Sequence, residues 1–114
     1  MKDYDVIIFK YLLSCGCMPQ LFGFKYLTDA IKIYIKSERT VSFEKDIYFV
    51  IAEKYDKSQW SVKKAIKNAI DTAALKYDVT DENSIFYNDS YSKSGSIIPS
   101  EFIAYSAQKL KQAD

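Results

Sequence analysis

The sequence contains no histidine, and this absence removes much of the chemistry that a small domain could perform. Histidine is the commonest general base and the commonest metal ligand in proteins. No glycine-rich loop of the phosphate-binding kind is present either. The adjacent carboxylates Asp81 and Glu82 fit a solvated acidic turn better than an acid–base pair. We therefore predict that the chain is not an enzyme and has no catalytic residue, no cofactor and no small-molecule substrate.

The chain is also poor in glycine, proline and cysteine. Three Gly and two Pro in 114 residues favour helices over a β-sandwich with many turns. Cys15 and Cys17 supply only two of the four ligands that a zinc site needs, and their spacing is poor for a disulfide. We predict two buried thiols in a reducing compartment and no metal site. Metal binding or redox work is the less favoured alternative.

Long apolar runs are missing as well. Asp3, Asp5 and Lys10 interrupt the apolar N-terminal stretch, and no run approaches the ~18 residues that span a bilayer. We therefore expect a soluble, cytoplasmic protein that does not bind a membrane. The 48% apolar and 27% charged composition is that of a globular domain. The sequence predicts one all-α domain of five to six helices over residues 1–114.

Helical periodicity and turn residues give the order of the predicted elements. They are a helix from Asp3 or Asp5 to near Gly16, a connector over 17–23, a helix from Phe24 to about Ser37, two helices over about 42–77, a polar segment over 78–96 with Ile85, Phe86 and Tyr87 as an apolar anchor, and a final helix opened by Pro99 and Ser100.

The clearest helical period lies over about 58–76, with Ser58 as the predicted N-cap. Its apolar face consists of Val62, Ala65, Ile66, Ala69, Ile70, Ala73 and Tyr77. A shorter helix precedes it, with Ser42 as the cap and an apolar stripe of Ile47, Val50, Ile51 and Tyr55. Only about four residues, 55–58, separate the two helices. This short turn predicts a helix-turn-helix over about 42–77.

The outward face of the second helix is cationic. It carries Trp60, Lys63, Lys64, Lys67, Asn68 and Asp71. The formal net charge of the chain is only +1, but residues 57–76 hold five lysines and one acid, whereas residues 78–89 hold four acids and no base. This distribution favours site-specific docking on double-stranded DNA over bulk electrostatic adhesion. The competing interpretation is that these lysines form an ordinary solvated helix face.

Beyond these general patterns, the chain resembles a known family. The matching stretches are GFKYLTDAI (Gly23–Ile31), IAEKYDKS (Ile51–Ser58), VKKAIKNAID (Val62–Asp71) and SEFIAYSAQKL (Ser100–Leu110). In order and spacing they look like the C-terminal DNA-binding domain of the stage-zero sporulation response-regulator transcription factor of endospore-forming bacteria. The resemblance extends from Leu12 to Leu110.

The resemblance implies an effector domain of about six helices whose recognition helix, here about 58–76, reads a short DNA box in the major groove. It implies that domains sit in tandem on adjacent boxes, and that the segment 77–86 contacts the sigma subunit of RNA polymerase. It places the residues that contact bases and phosphates at Ser61, Lys63, Lys64 and Lys67. Together with Trp60 and Asn68, these form the predicted DNA-binding set.

The chain departs from the family pattern at these positions. The family typically has Arg where Ser61, Lys64 and Lys67 stand, and an acidic residue where Lys63 stands. Lysine is a flexible point charge that does not reproduce the two-pronged grip of arginine on guanine. Trp60 replaces a small polar residue, and its bulk would stack on a sugar, meet a thymine methyl or obstruct docking. The family's receiver domain is also missing from the sequence, which predicts control by abundance or by a partner.

Two functions follow as hypotheses. The favoured one is a stand-alone, sequence-specific DNA-binding transcription regulator. The alternative is a protein-interaction module or antagonist that binds a full-length relative or an RNA polymerase subunit without strong DNA reading. For the alternative, Trp60 and the acidic segment 78–89 would be the surface, unless Trp60 packs into the core against the preceding helix.

Overall fold

The computed structural model describes residues 3–37, 40–75 and 97–112, and within these ranges every regular element is helical. In chain order the elements are α1 (Tyr4–Ser14), α2 (Phe22–Lys36), a π-helical segment (Phe43–Tyr48) that continues directly into α3 (Phe49–Tyr55), α4 (Gln59–Ala74) and α5 (Pro99–Gln112). They pack around one hydrophobic core. The predicted all-α, single-domain fold is confirmed.

The helix α2 lies at the centre of the molecule and packs against α1, the π-helical segment, α3, α4 and α5. Its buried residues occupy much of its circumference: Gly23, Phe24, Tyr26, Leu27, Ala30, Ile31 and Ile35. Because the other elements all rest on it, α2 sets the position of α4.

The first helix has the caps that its sequence predicts. The Asp3 carboxylate accepts hydrogen bonds from the Asp5 and Val6 amides. At the other end, Gly16 has a positive φ of 91°. Its N–H donates to the Leu13 carbonyl, and the next N–H donates to the Leu12 carbonyl, both at 3.0 Å. This is the glycine-terminated ending common to many helices.

Two buried thiols and a partly buried pair of hydroxyl groups lie near the end of α1. Cys15 and Cys17 are thiols with 2% and 3% exposure, so their predicted burial is confirmed. Burial raises the pKa of the Cys15 thiol, which lowers its nucleophilic thiolate fraction. The Tyr11 hydroxyl lies 2.9 Å from the hydroxyl of Ser106, a fully buried residue of α5.

The predicted short turn between α3 and α4 is confirmed. Asp56 adopts the left-handed conformation (φ 55°, ψ 51°) that ends α3. The Lys57 N–H then donates to the Ala52 carbonyl at 2.9 Å. Ser58 caps α4, as predicted, because its hydroxyl oxygen accepts from the Ser61 amide at 3.0 Å. Three residues therefore close one helix and open the next.

The first turns of the helix that precedes α4 are wider than the predicted α-helical turns. Ser42 is the expected cap, since its hydroxyl accepts from the Lys45 amide at 3.3 Å and its own N–H donates to the Asp46 carboxylate at 2.8 Å. The turns that follow are π-helical rather than α-helical. The predicted burial of Val50 is wrong, because this side chain is 44% exposed. Tyr48 is buried on the core face, and at about 100° per residue Val50 lies about 200° away from it.

Two further predictions concern element boundaries and the segment after α4. The predicted start of α2 at Phe24 is two residues late, since the helix begins at Phe22 and includes Gly23. The connector before it is correspondingly shorter than 17–23. Tyr77 and the predicted apolar anchor, Ile85, Phe86 and Tyr87, lie outside the described residues.

Candidate nucleic-acid interface

Within the described residues, one face of α4 packs into the hydrophobic core. Its fully buried residues are Val62, Ile66, Ala69, Ile70 and Ala73. They follow the predicted helical spacing, so the predicted core face is confirmed for these positions. The opposite face contains Trp60, Lys64, Lys67, Asn68 and Asp71 within an arc of about 100°. This outward arc faces away from the hydrophobic core.

Trp60 is a surface residue, not a core residue. Its side chain is 67% exposed, in the first turn of α4. The Lys64 ammonium lies 4.7 Å from the centroid of its ring, close enough for a cation–π interaction. Lys64 is itself exposed. An apolar ring and a positive charge are therefore presented together on the outward arc.

Lys63 lies at the edge of this arc and is turned toward the π-helical segment. Its Nζ is 3.0 Å from Oε1 of Glu44, and it lies 5.3 Å from the centroid of the Tyr48 ring. The Lys63 side chain is 42% exposed, and that of Glu44 is 73% exposed. The ammonium group is therefore held by two side chains from another element.

Lys67 has a partner on its own helix. Its Nζ is 3.1 Å from Oδ2 of Asp71, and both side chains are about half exposed. A lysine that precedes its acidic partner by four residues has the less favourable orientation for such a pair. Because of this orientation the pair contributes little, so Lys67 can exchange Asp71 for another anion.

The two remaining residues of the predicted set are polar. The Ser61 hydroxyl oxygen lies 2.9 Å from the Ser58 hydroxyl, which donates to it. The Ser61 hydrogen is then free to be donated to an acceptor outside the protein. Asn68 is exposed one turn beyond Lys64. An asparagine amide both donates and accepts, which is the pattern that adenine presents in the major groove.

Comparison with known proteins shows the family of this chain. The family model described as sporulation initiation factor Spo0A C terminal matches residues 8–110. The chain belongs to the Spo0A C-terminal family. No solved structure matches it.

Spo0A C-terminal domains are DNA-binding effector domains of response regulators that act in sporulation, so this chain is a DNA-binding transcription regulator in general terms. The family is a transcription-factor family rather than an enzyme family. Within the described ranges, every helix is too short or too polar to cross a bilayer. No three potential metal ligands lie together in that part of the chain.

In this member of the Spo0A C-terminal family, sequence reasoning missed the partners of the lysines. Glu44 and Tyr48 lie 19 and 15 positions before Lys63, and no periodic pattern connects them to it. The Lys67–Asp71 pair could have been predicted from its four-residue spacing on a helix. The position of the lysines on α4 thus follows from the helical period, whereas their electrostatic environment depends on the packing of the π-helical segment.

The end of α3, just before the turn, is fixed to α2 by polar contacts. The Tyr55 hydroxyl donates to the Asp29 carboxylate at 2.6 Å, and the Lys54 ammonium lies 3.2 Å from the same oxygen. Burial raises the pKa of Tyr55 above its usual value, and the bond to Asp29 adds to the shift. These contacts hold the N-terminal end of α4 in place. The predicted sigma-binding segment, 77–86, lies outside the described residues.

Proposed function

We propose that this chain is a sequence-specific DNA-binding transcription regulator that inserts α4 into the major groove. The observation that supports this most directly is the outward arc of α4. It follows a three-residue turn and combines an exposed indole, two exposed lysines and an exposed amide on a helix whose other face is fully buried. An α-helix fits the width of the major groove of B-DNA.

The chemistry of each side chain suggests its role in the helix-turn-helix over about 42–77. Lys64 and Lys67 supply charge for phosphates or for guanine acceptors. Asn68 reads adenine, and Ser61 donates to a phosphate or a base. Trp60 contacts a thymine methyl or a sugar. Lys63 reaches DNA only after it leaves Glu44.

A salt titration tests the assignment of the phosphate contacts. Each phosphate contact contributes about 0.9 to the slope of log affinity against log salt concentration. We expect Lys64→Gln and Lys67→Gln each to flatten the slope by about this amount. Lys10→Gln, which removes an exposed charge from α1, is the matched control and should leave the slope unchanged. If all three variants behave alike, α4 is not the DNA-contacting helix.

Selection of bound duplexes from a random pool tests sequence specificity. A regulator of this kind enriches one short box, and two adjacent boxes should recruit two chains, as proposed for tandem binding. Enrichment of no sequence would contradict the proposal.

The specific alternative is a protein-interaction module that binds a full-length relative or an RNA polymerase subunit. Two observations favour it. Carboxylates already pair with two of the three α4 lysines, and an exposed tryptophan is a typical anchor of protein interfaces. Under this alternative, Trp60→Ala abolishes the protein complex, whereas Lys64→Gln changes binding little. Under the DNA-binding proposal, both substitutions weaken DNA binding.

A further inference from the structure

Among the three α4 lysines, Lys63 is restrained most strongly. Its ammonium contacts the Glu44 carboxylate at 3.0 Å and lies over the Tyr48 ring, and both partners belong to the π-helical segment. In the described part of the chain, Lys67 pairs with Asp71 of its own helix, and Lys64 lies over the Trp60 ring. Tyr48 is itself buried, so the ring under Lys63 is a fixed part of the core.

Glu44 lies beside the proposed DNA-binding face. It lines a groove together with Ser42, Lys45, Phe49 and Gln59, so it sits between the start of the π-helical segment and the first turn of α4. Its side chain is 73% exposed. A carboxylate at this position neutralises Lys63 and repels any phosphate that approaches the same edge of α4.

We propose that Glu44 determines DNA specificity by withholding Lys63 from the phosphate backbone. This inference rests on the proposed function. Non-specific binding depends almost entirely on phosphate neutralisation, whereas specific binding also draws on contacts to base edges. Removing one cation from the pool of phosphate contacts therefore weakens non-specific binding more than binding to the preferred box. Glu44 is a positioning residue in this scheme, since it acts through Lys63.

The test compares Glu44→Gln with Glu53→Gln. Both substitutions remove one exposed negative charge, but Glu53 lies on α3 and makes no ion pair with an α4 lysine in the described part of the chain. On a random duplex, we expect Glu44→Gln to steepen the salt slope by about 0.9. The ratio of affinities at 50 and 200 mM salt then rises about 3.5-fold. Affinity for the selected box rises less, and Glu53→Gln leaves the slope unchanged.

Lys63→Gln completes the cycle. In the wild-type background it should leave the slope on a random duplex unchanged, because Lys63 is already engaged. In the Glu44→Gln background it should return the slope to the wild-type value. The inference is overturned if Glu44→Gln matches Glu53→Gln, or if Lys63→Gln alone flattens the slope as much as Lys64→Gln does. If the wild-type chain binds no duplex, the proposed function itself fails, which is a distinguishable result.

Discussion

The contact between α2 and α4 at Gly23 provides the sharpest test of the fold. A Cβ atom built on Gly23 would overlap the backbone carbonyl oxygen of Ala65 and lie 2.7 Å from the Cβ of Ala69. Neither atom sits at the end of a flexible side chain that could turn away. The substitution Gly23→Ala therefore requires α4 to move away from α2.

The magnitude follows from two opposing terms. Overpacking of a close contact costs about 1–3 kcal/mol, and a backbone oxygen as the obstacle favours the upper end of this range. Alanine offsets at most roughly 0.5–1 kcal/mol through its higher helix propensity, since this value applies to the middle of a helix and Gly23 is in the first turn of α2. We expect a net loss of about 2 kcal/mol in the free energy of unfolding. For a chain of this length, about 4 °C per kcal/mol gives a decrease in Tm of about 8 °C.

Thermal unfolding followed by circular dichroism measures this change. The control is Phe22→Ala, which alters the preceding residue on the solvent side of α2, where the ring is 71% exposed. Its effect should stay within about 0.5 kcal/mol. A Gly23→Ala protein with an unchanged or increased Tm would refute the close approach of α2 and α4. Because α4 carries the proposed DNA-binding face, DNA affinity should fall together with Tm.

Three further predictions concern the cap of α4, the bond between α1 and α5, and the exposed indole. Ser58→Ala removes the hydroxyl that accepts from the Ser61 amide, and should lower the free energy of unfolding in urea by about 1 kcal/mol, whereas Ser14→Ala at the exposed end of α1 should lower it less. Tyr11→Phe leaves the buried Ser106 hydroxyl without this partner and should cost about 1–3 kcal/mol at pH 7. Burial raises the pKa of Tyr11, so the stabilisation that its neutral hydroxyl provides is complete below the unfolded-state pKa of about 10. Above this pH the free energy of unfolding falls by about 1.4 kcal/mol per pH unit through this group. Urea unfolding at a series of pH values from about 8 to about 11 should therefore show a smaller loss of stability at alkaline pH for Tyr11→Phe than for the wild type. Trp60 is the one tryptophan of the sequence, so the protein's indole fluorescence should shift to shorter wavelength and lose iodide quenching when DNA binds; unchanged emission at saturating duplex would remove Trp60 from the interface.

The sequence predicts α4 well because its apolar positions repeat with the α-helical period and Ser58 marks its start. Such local signals determine which residues face outward, so the outward position of Trp60, Lys64 and Lys67 could be predicted without a structure. The π-helical segment could not be predicted from the sequence, since its residues also occur in ordinary α-helices. A π-helix differs from an α-helix in that its backbone hydrogen bonds span five residues instead of four. Val50 was assigned to the wrong face because the apolar pattern did not show that Tyr48 lies on the core face.

Gly23 and Glu44 show the second limit of sequence reasoning. A glycine after a proline-containing connector suggests a break in local structure, yet Gly23 lies within α2. The position needs a glycine because α4 passes too close for a side chain. Glu44 becomes the partner of Lys63 only through tertiary packing. Both features depend on contacts between segments far apart in sequence, which neither propensity nor periodicity describes.

The bond between Tyr11 and Ser106 joins residues 95 positions apart, and α2 also packs on α5. Contacts between segments so far apart in sequence form only after a long loop has closed, and closing that loop slows folding. During synthesis, at roughly 5–20 residues per second, the ribosome needs roughly 3–13 s to proceed from the end of α2 to the start of α5. The part of the apolar surface of α2 that α5 covers stays exposed throughout this interval, so chaperones that recognise such surface have time to bind it.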